Sequence, residues 1–447
     1  MPITCTTGAL TYNKTPLTDD WTYWYLKATS SNTDFSSIAV NDTDLYVTDP
    51  KGGVNINESY YYHFTIVNSY PKLVQGYKLV SAGMYGSRNP VAPFNYGVFF
   101  NKVTLDNNGL LYLYGSQTQL QATTLPYYDW TGAITILPGS VASNSTYGAT
   151  PLPEPGDNNQ VYKYAFDSSN NPWTIMSVQI GLSNGQPAGG FSDFGPRVSQ
   201  GGTYTDDGDY FGQTTNAGFP LVSQAAGRPT GLSVSTTGKA FSASWIKDIY
   251  TASPGTIKTY ITYTDTIKTY QGLDKIWQRQ LNGQSYGLVS DSTDNVYVII
   301  DDKLLKYNST GTQQWVKTVT SMTGGELAVD SNDDIYWTSG SFIVKLDSSG
   351  TLIWSRQLNK TIAGFEIRST NMFMSGTSFI VKLPTDGTLT GTYNDLIYSV
   401  RTVTVSASSL SDTIITNLAG GFVGLRVTNA TKTSTTENVT SSSLVID

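Results

Sequence analysis

Between residues 275 and 390 short apolar runs alternate with polar clusters at a near-constant interval. One stretch reads Val289-Ser290-Asp291-Ser292-Thr293-Asp294-Asn295-Val296-Tyr297, and the next Val329-Asp330-Ser331-Asn332-Asp333-Asp334-Ile335-Tyr336. Each leads into a second strand and turn, Leu304 to Gly311 and Ile343 to Gly350, and then to a tryptophan, Trp315 or Trp354. Tyr297 to Tyr336 and Trp315 to Trp354 are both 39 residues, and Trp277 precedes Trp315 by 38. Period-2 alternation broken by Asp, Asn, Ser and Gly predicts short strands joined by tight turns. About 40 residues per copy with four strands is the repeat of a β-propeller blade.

With that unit as a template, weaker copies end at Tyr46, Tyr112, Trp173, Phe241 and Phe373, giving seven aromatic anchors spaced 66, 61, 68, 56, 39 and 37 residues apart. The expected fold is all-β: a single β-propeller of about seven blades over residues 1–400, irregular across 20–230 and regular across 231–395. A Ser/Thr-rich segment, 401–447, then either takes part in ring closure or forms an anchoring tail. Ile414 to Phe422 resembles the motif loosely and would make an eighth blade. The competing arrangement is a β-sandwich before about residue 230 followed by a four-blade fragment. Trp24-Tyr25-Leu26-Lys27 lies 16 residues before Val40, much as Trp315 lies 14 before Val329, so the chain reads as starting with the outer strand of a blade. Strand exchange between the two ends would remove exposed edges.

Composition sharpens this picture. Charged residues make up 14% and aromatics 12%, and 30 of the residues are Tyr. Low charge with many aromatics speaks for a packed β protein and against disorder. A net charge of -7 argues against a nucleic-acid-coating surface. One cysteine, Cys5, leaves no intramolecular disulfide. No apolar run reaches the length of a membrane span, and no secretory leader is recognisable at the N-terminus.

The long spacings predict loop insertions in the N-terminal blades, rich in the residues that build recognition surfaces. Candidate binding residues there are Tyr61, Tyr62, Tyr85, Phe94, Tyr96, Tyr127, Tyr128, Trp130, Phe191, Phe194, Tyr204 and Tyr210. Pinning the loops onto the ring is the alternative role for these aromatics.

Catalytic chemistry is not visible. His63, the sole histidine, sits in an aromatic run and reads as a packed strand residue, which leaves no Ser-His-Asp triad or multi-histidine metal site. Asp330 to Asp334 and Asp206 to Asp209 lack EF-hand spacing and read as turns. No metal or cofactor is expected, although a carboxylate pair among the many aspartates stays open.

Phe379-Ile380-Val381-Lys382-Leu383-Pro384-Thr385-Asp386-Gly387-Thr388, then Gly391-Thr392-Tyr393 and the Ser/Thr-rich stretch from Val403, resemble propeller repeats of structural proteins in tailed bacteriophages, tail fibres and tail-associated proteins among them. The resemblance covers roughly residues 275–447. It implies a non-enzymatic virion protein, assembled in the host cytoplasm in multiple copies per particle. Its partners would be other virion proteins and a host surface glycan, with no nucleic acid. A capsid-decorating protein and a propeller glycosidase or lyase acting on surface polysaccharide are the alternatives.

Overall fold

A computed structural model describes residues 3–6, 10, 12–20, 22–30, 33–50, 58–67, 70–81, 96–119, 130–137, 140–148, 160–170, 172–181, 192–200, 225–248, 257–268, 272–415 and 434–435. All regular structure among them is antiparallel β-strand. Seven consecutive units can be followed, each beginning at an inner strand: Ser37–Val40, Tyr96–Leu105, Gln160–Phe166, Ala225–Val234, Ser285–Ser290, Glu326–Val329 and Gly364–Arg368. Each inner strand touches the next, and the last touches the first, so they follow one another in a cycle. Unit 7 is completed by the start of the chain: Trp24–Ala28 pairs with Phe379–Pro384, Trp24 opposite Lys382 and Leu26 opposite Ile380. The chain is a β-propeller.

The seven aromatic anchors all lie in the second strands of these units, and all but Tyr112 are buried, Trp173, Phe241, Tyr297 and Tyr336 completely. Each such burial contributes roughly 1.5–3 kcal/mol. Clusters form between units as well as within them: Trp24, Phe35, Val47, Tyr62, Phe64 and Phe373 share one across units 7 and 1.

The polar clusters that precede the anchors close the first hairpin of units 2 to 6 in a common way. In Asp291–Asn295 the Asp294 N–H donates to the Asp291 carbonyl (3.2 Å), the Asp291 N–H to the Asn295 carbonyl (2.9 Å), and the Asp291 carboxylate accepts from the Thr293 and Asn295 N–H groups. The fourth residue is left-handed in five units: Gly109, Asn170, Gly238, Asp294 and Asp333, with φ between 60° and 81°. Asn and Asp tolerate that conformation. Here they also use it. Asn170, Asp294 and Asp333 each accept the N–H of the second turn residue of the preceding unit, Asn107, Thr236 and Ser292, at 2.9 Å.

A second inter-unit link runs through the tryptophans. Trp277, Trp315 and Trp354 donate their indole N–H to the carbonyls of Ser309 (3.0 Å), Ser348 (3.3 Å) and Thr385 (3.1 Å) in the next unit. Their rings lie over Gly311, Gly350 and Gly387, where an added Cβ would stand 2.7, 3.3 and 2.9 Å from ring carbons. Glycine at these turns is required twice, by a positive φ and by the indole above it.

Described segments near both ends of the chain run along the outside of the propeller. Ile3–Thr6 pairs with the outer strand of unit 1, and Tyr12–Pro16 with Trp24–Ala28 of unit 7. After unit 7 the chain turns back over units already made. Leu396–Val400 pairs with the outer strand of unit 6, Val405–Ala407 with that of unit 5, Asp412–Ile414 with that of unit 4, and Ser434–Thr435 with that of unit 2. The described part of 401–447 is thus a strap that covers outward edges otherwise open to pairing with other chains.

Strand direction alternates within each unit, so the first and third turns share one face, while the second turn and the link to the next unit share the other. Units 5 to 7 are nearly minimal on both faces. In units 1 to 4 the extra residues lengthen strands as well as loops: Tyr70–Ser81 and Ile257–Lys268 are 12 residues each, against 5 for Lys303–Tyr307.

Candidate functional site

Tyr61 and Tyr62, expected in an insertion loop, lie inside the strand Glu58–Val67 and are 1% and 5% exposed. The structure thus places both in a buried strand and not in an insertion loop. A run broken only by His63, Tyr60 to Phe64, suits a strand covered on both sides, here by the neighbouring units. Tyr96, Trp130 and Phe194 lie in the first residues of Tyr96–Leu105, Trp130–Leu137 and Ser192–Gln200. All three are strand ends at the face that carries the second turns and the unit-to-unit links. Tyr85, Phe94, Tyr127, Tyr128 and Phe191 fall outside the described residues, in stretches 82–95, 120–129 and 182–191 whose flanking strands end at that same face. Tyr204 and Tyr210 also fall outside the described residues.

His63 sits opposite Tyr46, in the register that Lys306 holds opposite Tyr297, Lys345 opposite Tyr336 and Lys382 opposite Phe373. It stacks on Tyr46 (4.5 Å between centroids) and contacts Asp44 Oδ1 through Nε2 at 2.6 Å. The equivalent lysines of units 5 to 7 lie over their aromatic partners at 5.0, 5.0 and 5.9 Å. In units 5 and 6 the tyrosine hydroxyl donates to the turn aspartate, Asp291 or Asp330, at 2.9 Å. Lys345 reaches Asp330 and Asp334 at 3.1 and 2.9 Å. These recurring sets fasten turns to strands, and His63 belongs to that scheme.

Charges of a different kind converge near the axis of the ring. Lys102 and Lys163 each stand four positions before the first-turn aspartates Asp106 and Asp167, and Glu326 stands four before Asp330. Register confirms the equivalence: Lys102 lies opposite Tyr114, one same-facing step along from Thr104 opposite Tyr112, and Glu326 lies one such step from Ala328 opposite Tyr336. Lys102 Nζ reaches Glu326 Oε1 at 3.3 Å, a link from unit 2 to unit 6 and hence across the ring. Glu366 of unit 7, opposite Phe373, stands one same-facing step nearer the turns.

The other inner-strand positions level with this ion pair are small. Gly287 and Gly364 lie against the backbone of the adjacent inner strand, and Gly231 against Leu288. Only Lys163 adds a further long side chain at that level. Burial pushes the Glu366 carboxyl up to about 8, against the opposing pull of the Val40 N–H, Arg368 and Lys163. Burial likewise lowers Lys163, with Lys102 adding to that effect while Glu326 and Glu366 oppose it. Burial raises the Tyr114 hydroxyl, and both glutamates contribute. Among the described residues no carboxylate forms an ion pair with Lys163. The lysines and glutamates were missed as a set because each is unremarkable alone; only their shared offset from the turn aspartates, read copy by copy, brings them to one level.

No cluster of His, Cys, Asp and Glu suited to a metal ion occurs among the described residues. None of the helices needed for a helical membrane span is present among them.

No protein-family model matches the chain, and no curated protein matches it. Among solved structures, the α-L-arabinanase of Penicillium chrysogenum shares 8% identity over 85% of this chain and 98% of its own, with a TM-score of 0.39. The Dos1 propeller shares 10% over 86% and 94%, TM-score 0.38. The computationally designed protein Ika8 shares 9% over 79% and 96%, TM-score 0.39. At such scores these likenesses add nothing to the assignment of the fold, which rests on the strand pairing itself.

Proposed function

We propose that this propeller is a non-enzymatic structural protein of a tailed-phage virion, tail-associated, present in multiple copies, and engaged in host attachment or in mounting other tail parts. The observation that carries the reading is the asymmetry of the two faces. In units 1 to 3 the strands bounding 82–95, 120–129, 149–159 and 182–191 all end at one face, and Tyr96, Trp130 and Phe194 lie among the first residues of strands there. Strand ends gathered on one side of a rigid scaffold, joined in sequence by stretches that include aromatic, Asn and Gly residues, suit recognition. The resemblance of Phe379 to Tyr393 and the Ser/Thr-rich stretch after it to phage propeller repeats supplies the setting. Virion proteins would be the standing partners and a host surface glycan the external one.

Antibody labelling of intact particles tests the location. Label at the tail is the expected result; label confined to the head would make the protein a capsid decoration, and its absence from particles would overturn the reading. Incubation with host surface polysaccharide tests the non-enzymatic part. Unchanged chain length is expected, and shortened chains would instead identify a glycosidase or lyase.

A further inference from the structure

Two segments 370 residues apart meet at one carboxylate. The hairpin of Gly391–Tyr393 and Leu396–Val400 starts the strap, and Asp395 stands at its turn, next to Asn394 with a φ of 61°. Asp395 Oδ1 accepts the Tyr25 hydroxyl at 2.8 Å, while Oδ2 meets the Lys27 ammonium at 2.8 Å and the Lys360 ammonium at 3.1 Å. Tyr25 and Lys27 belong to Trp24–Ala28, the strand that completes unit 7, and Lys360 to the link between units 6 and 7. Asn359 of that link holds the same turn. Its side-chain amide donates to the Asp395 carbonyl at 2.9 Å and accepts the Ile397 N–H at 2.8 Å. Tyr25, Leu396 and Tyr398 are fully buried in one cluster with Tyr336 of unit 6 and Phe379 of unit 7.

Farther along, the strap is held more thinly. Val405–Ala407 and Asp412–Ile414 are three residues each, and two of the three are exposed in both. Pairings so short depend on the effective concentration that an already seated neighbour gives them. We propose that the junction at Asp395 is a latch that seats the strap on a closed ring, so that closure of unit 7 by Trp24–Ala28 and covering of the outer edges of units 6 and 5 stabilise each other. Coupling of this kind is reciprocal. A chain with unit 7 open leaves those edges bare to other strands.

Amide hydrogen exchange in the full chain at pH 7 tests the latch. The Ala28 N–H, which donates to the Ser378 carbonyl at 3.0 Å, reports closure, and the Ser408 N–H, which donates to the Val316 carbonyl at 2.9 Å, reports the strap. The Asp291 N–H, bonded to the Asn295 carbonyl at 2.9 Å, is the control. Asp395→Asn should quicken exchange at Ala28 and Ser408 together, roughly three- to tenfold given the exposure of the lysines, and leave Asp291 unchanged. Arg401→Met removes side-chain contacts to unit 6, the guanidinium 3.5 Å over the Phe342 ring and its bond to Gln357 at 3.1 Å. Although it lies away from the closing strand, this change should quicken Ala28 as well. Exchange in Asp395→Asn that is unchanged, or that rises at only one of the two amides, would overturn the proposal. So would an Arg401→Met chain in which Ser408 quickens and Ala28 does not. If Asp395→Asn does not fold, Tyr25→Phe, which removes only the hydroxyl, decides: an unchanged rate at either amide overturns the latch.

Discussion

Units 5 to 7 and units 1 to 4 solve the same packing problem by different means. In units 5 and 6 one set of side chains recurs at a 39-residue offset: the turn aspartates Asp291 and Asp330, the tyrosines Tyr297 and Tyr336, and the lysines Lys306 and Lys345. Unit 7 keeps Lys382 but has Arg368 near the turn and Phe373 at the anchor, so the hydroxyl and its acceptor are lost together. Unit 4 has Ser235, Phe241 and Tyr263, with the two rings stacked at 4.0 Å. Unit 1 uses His63 and Asp44. The anchor position keeps an aromatic, buried in six of the seven units, and varies in polar chemistry. A repeat is therefore defined by its packed aromatic and its turn, while the polar contacts are refitted locally as groups, because a buried donor without its acceptor is costly.

The largest expected effect falls on the tryptophan links that join units 4 to 7. Trp354→Ala removes a nearly buried indole, its bond to the Thr385 carbonyl and its cover over Gly387. It should lower the unfolding free energy by about 3–5 kcal/mol, read from the midpoint of urea denaturation. A loss below about 1 kcal/mol would mean that the regular units do not depend on this link.

Next in size is a difference in pH response. Glu366 holds its proton to about 8, whereas an unfolded glutamate releases it near 4.5. Between these values the folded chain binds more protons, so this group makes stability fall as pH rises through the window and stay level above it. Glu366→Gln should flatten that fall and stabilise the protein by about 2 kcal/mol at pH 8.5, allowing for screening by solvent along the axis. Asp291 and Asp330 act with the opposite sign. Burial raises them, but backbone N–H groups, tyrosine hydroxyls and, for Asp330, the Lys345 ammonium outweigh it and hold both carboxyls below the usual range. Their contribution is present above about pH 4 and is lost as pH falls through the lowered values. Melting temperatures of the unaltered chain, Glu366→Gln and Asp330→Asn from pH 3 to 9 would separate the two; parallel curves would refute both assignments.

Gly311→Ala follows. A positive φ of 76° and a Trp277 ring carbon 2.7 Å from the new methyl should together cost roughly 1–3 kcal/mol in thermal or urea unfolding. The smallest effect sharpens the comparison most. Tyr336→Phe should cost about 1 kcal/mol, because Asp330 keeps Lys345 and its backbone donors. Phe373→Tyr in unit 7 should bring no gain, since no turn aspartate waits there. A stabilising Phe373→Tyr would show that the polar set is not refitted as a group.

Much of the fold was legible in the chain. Hairpins around Tyr297, Tyr336 and Phe373 follow from alternation and turn chemistry, which act over fewer than ten residues. The weaker copies at Tyr46, Tyr112, Trp173 and Phe241 were found through the stronger ones. The part of Trp24 in an outer strand followed from its offset to Val40. The aromatic run around Tyr61 was misplaced, since composition alone does not distinguish a recognition loop from a strand covered on both sides.

By itself, then, the sequence determined the strands, the turns and the repeated anchor, because period and dihedral preference are local properties. Tertiary structure alone decided three things: the course of the strap from Leu396 to Ile414 back over units 6, 5 and 4, the inter-unit bonds of Asn170, Asp294 and Asp333, and the meeting of Lys102 with Glu326. Those partners lie from about 40 to more than 200 residues apart or pair through the backbone, where side-chain identity leaves little trace. Only the curvature of the ring brings them within reach.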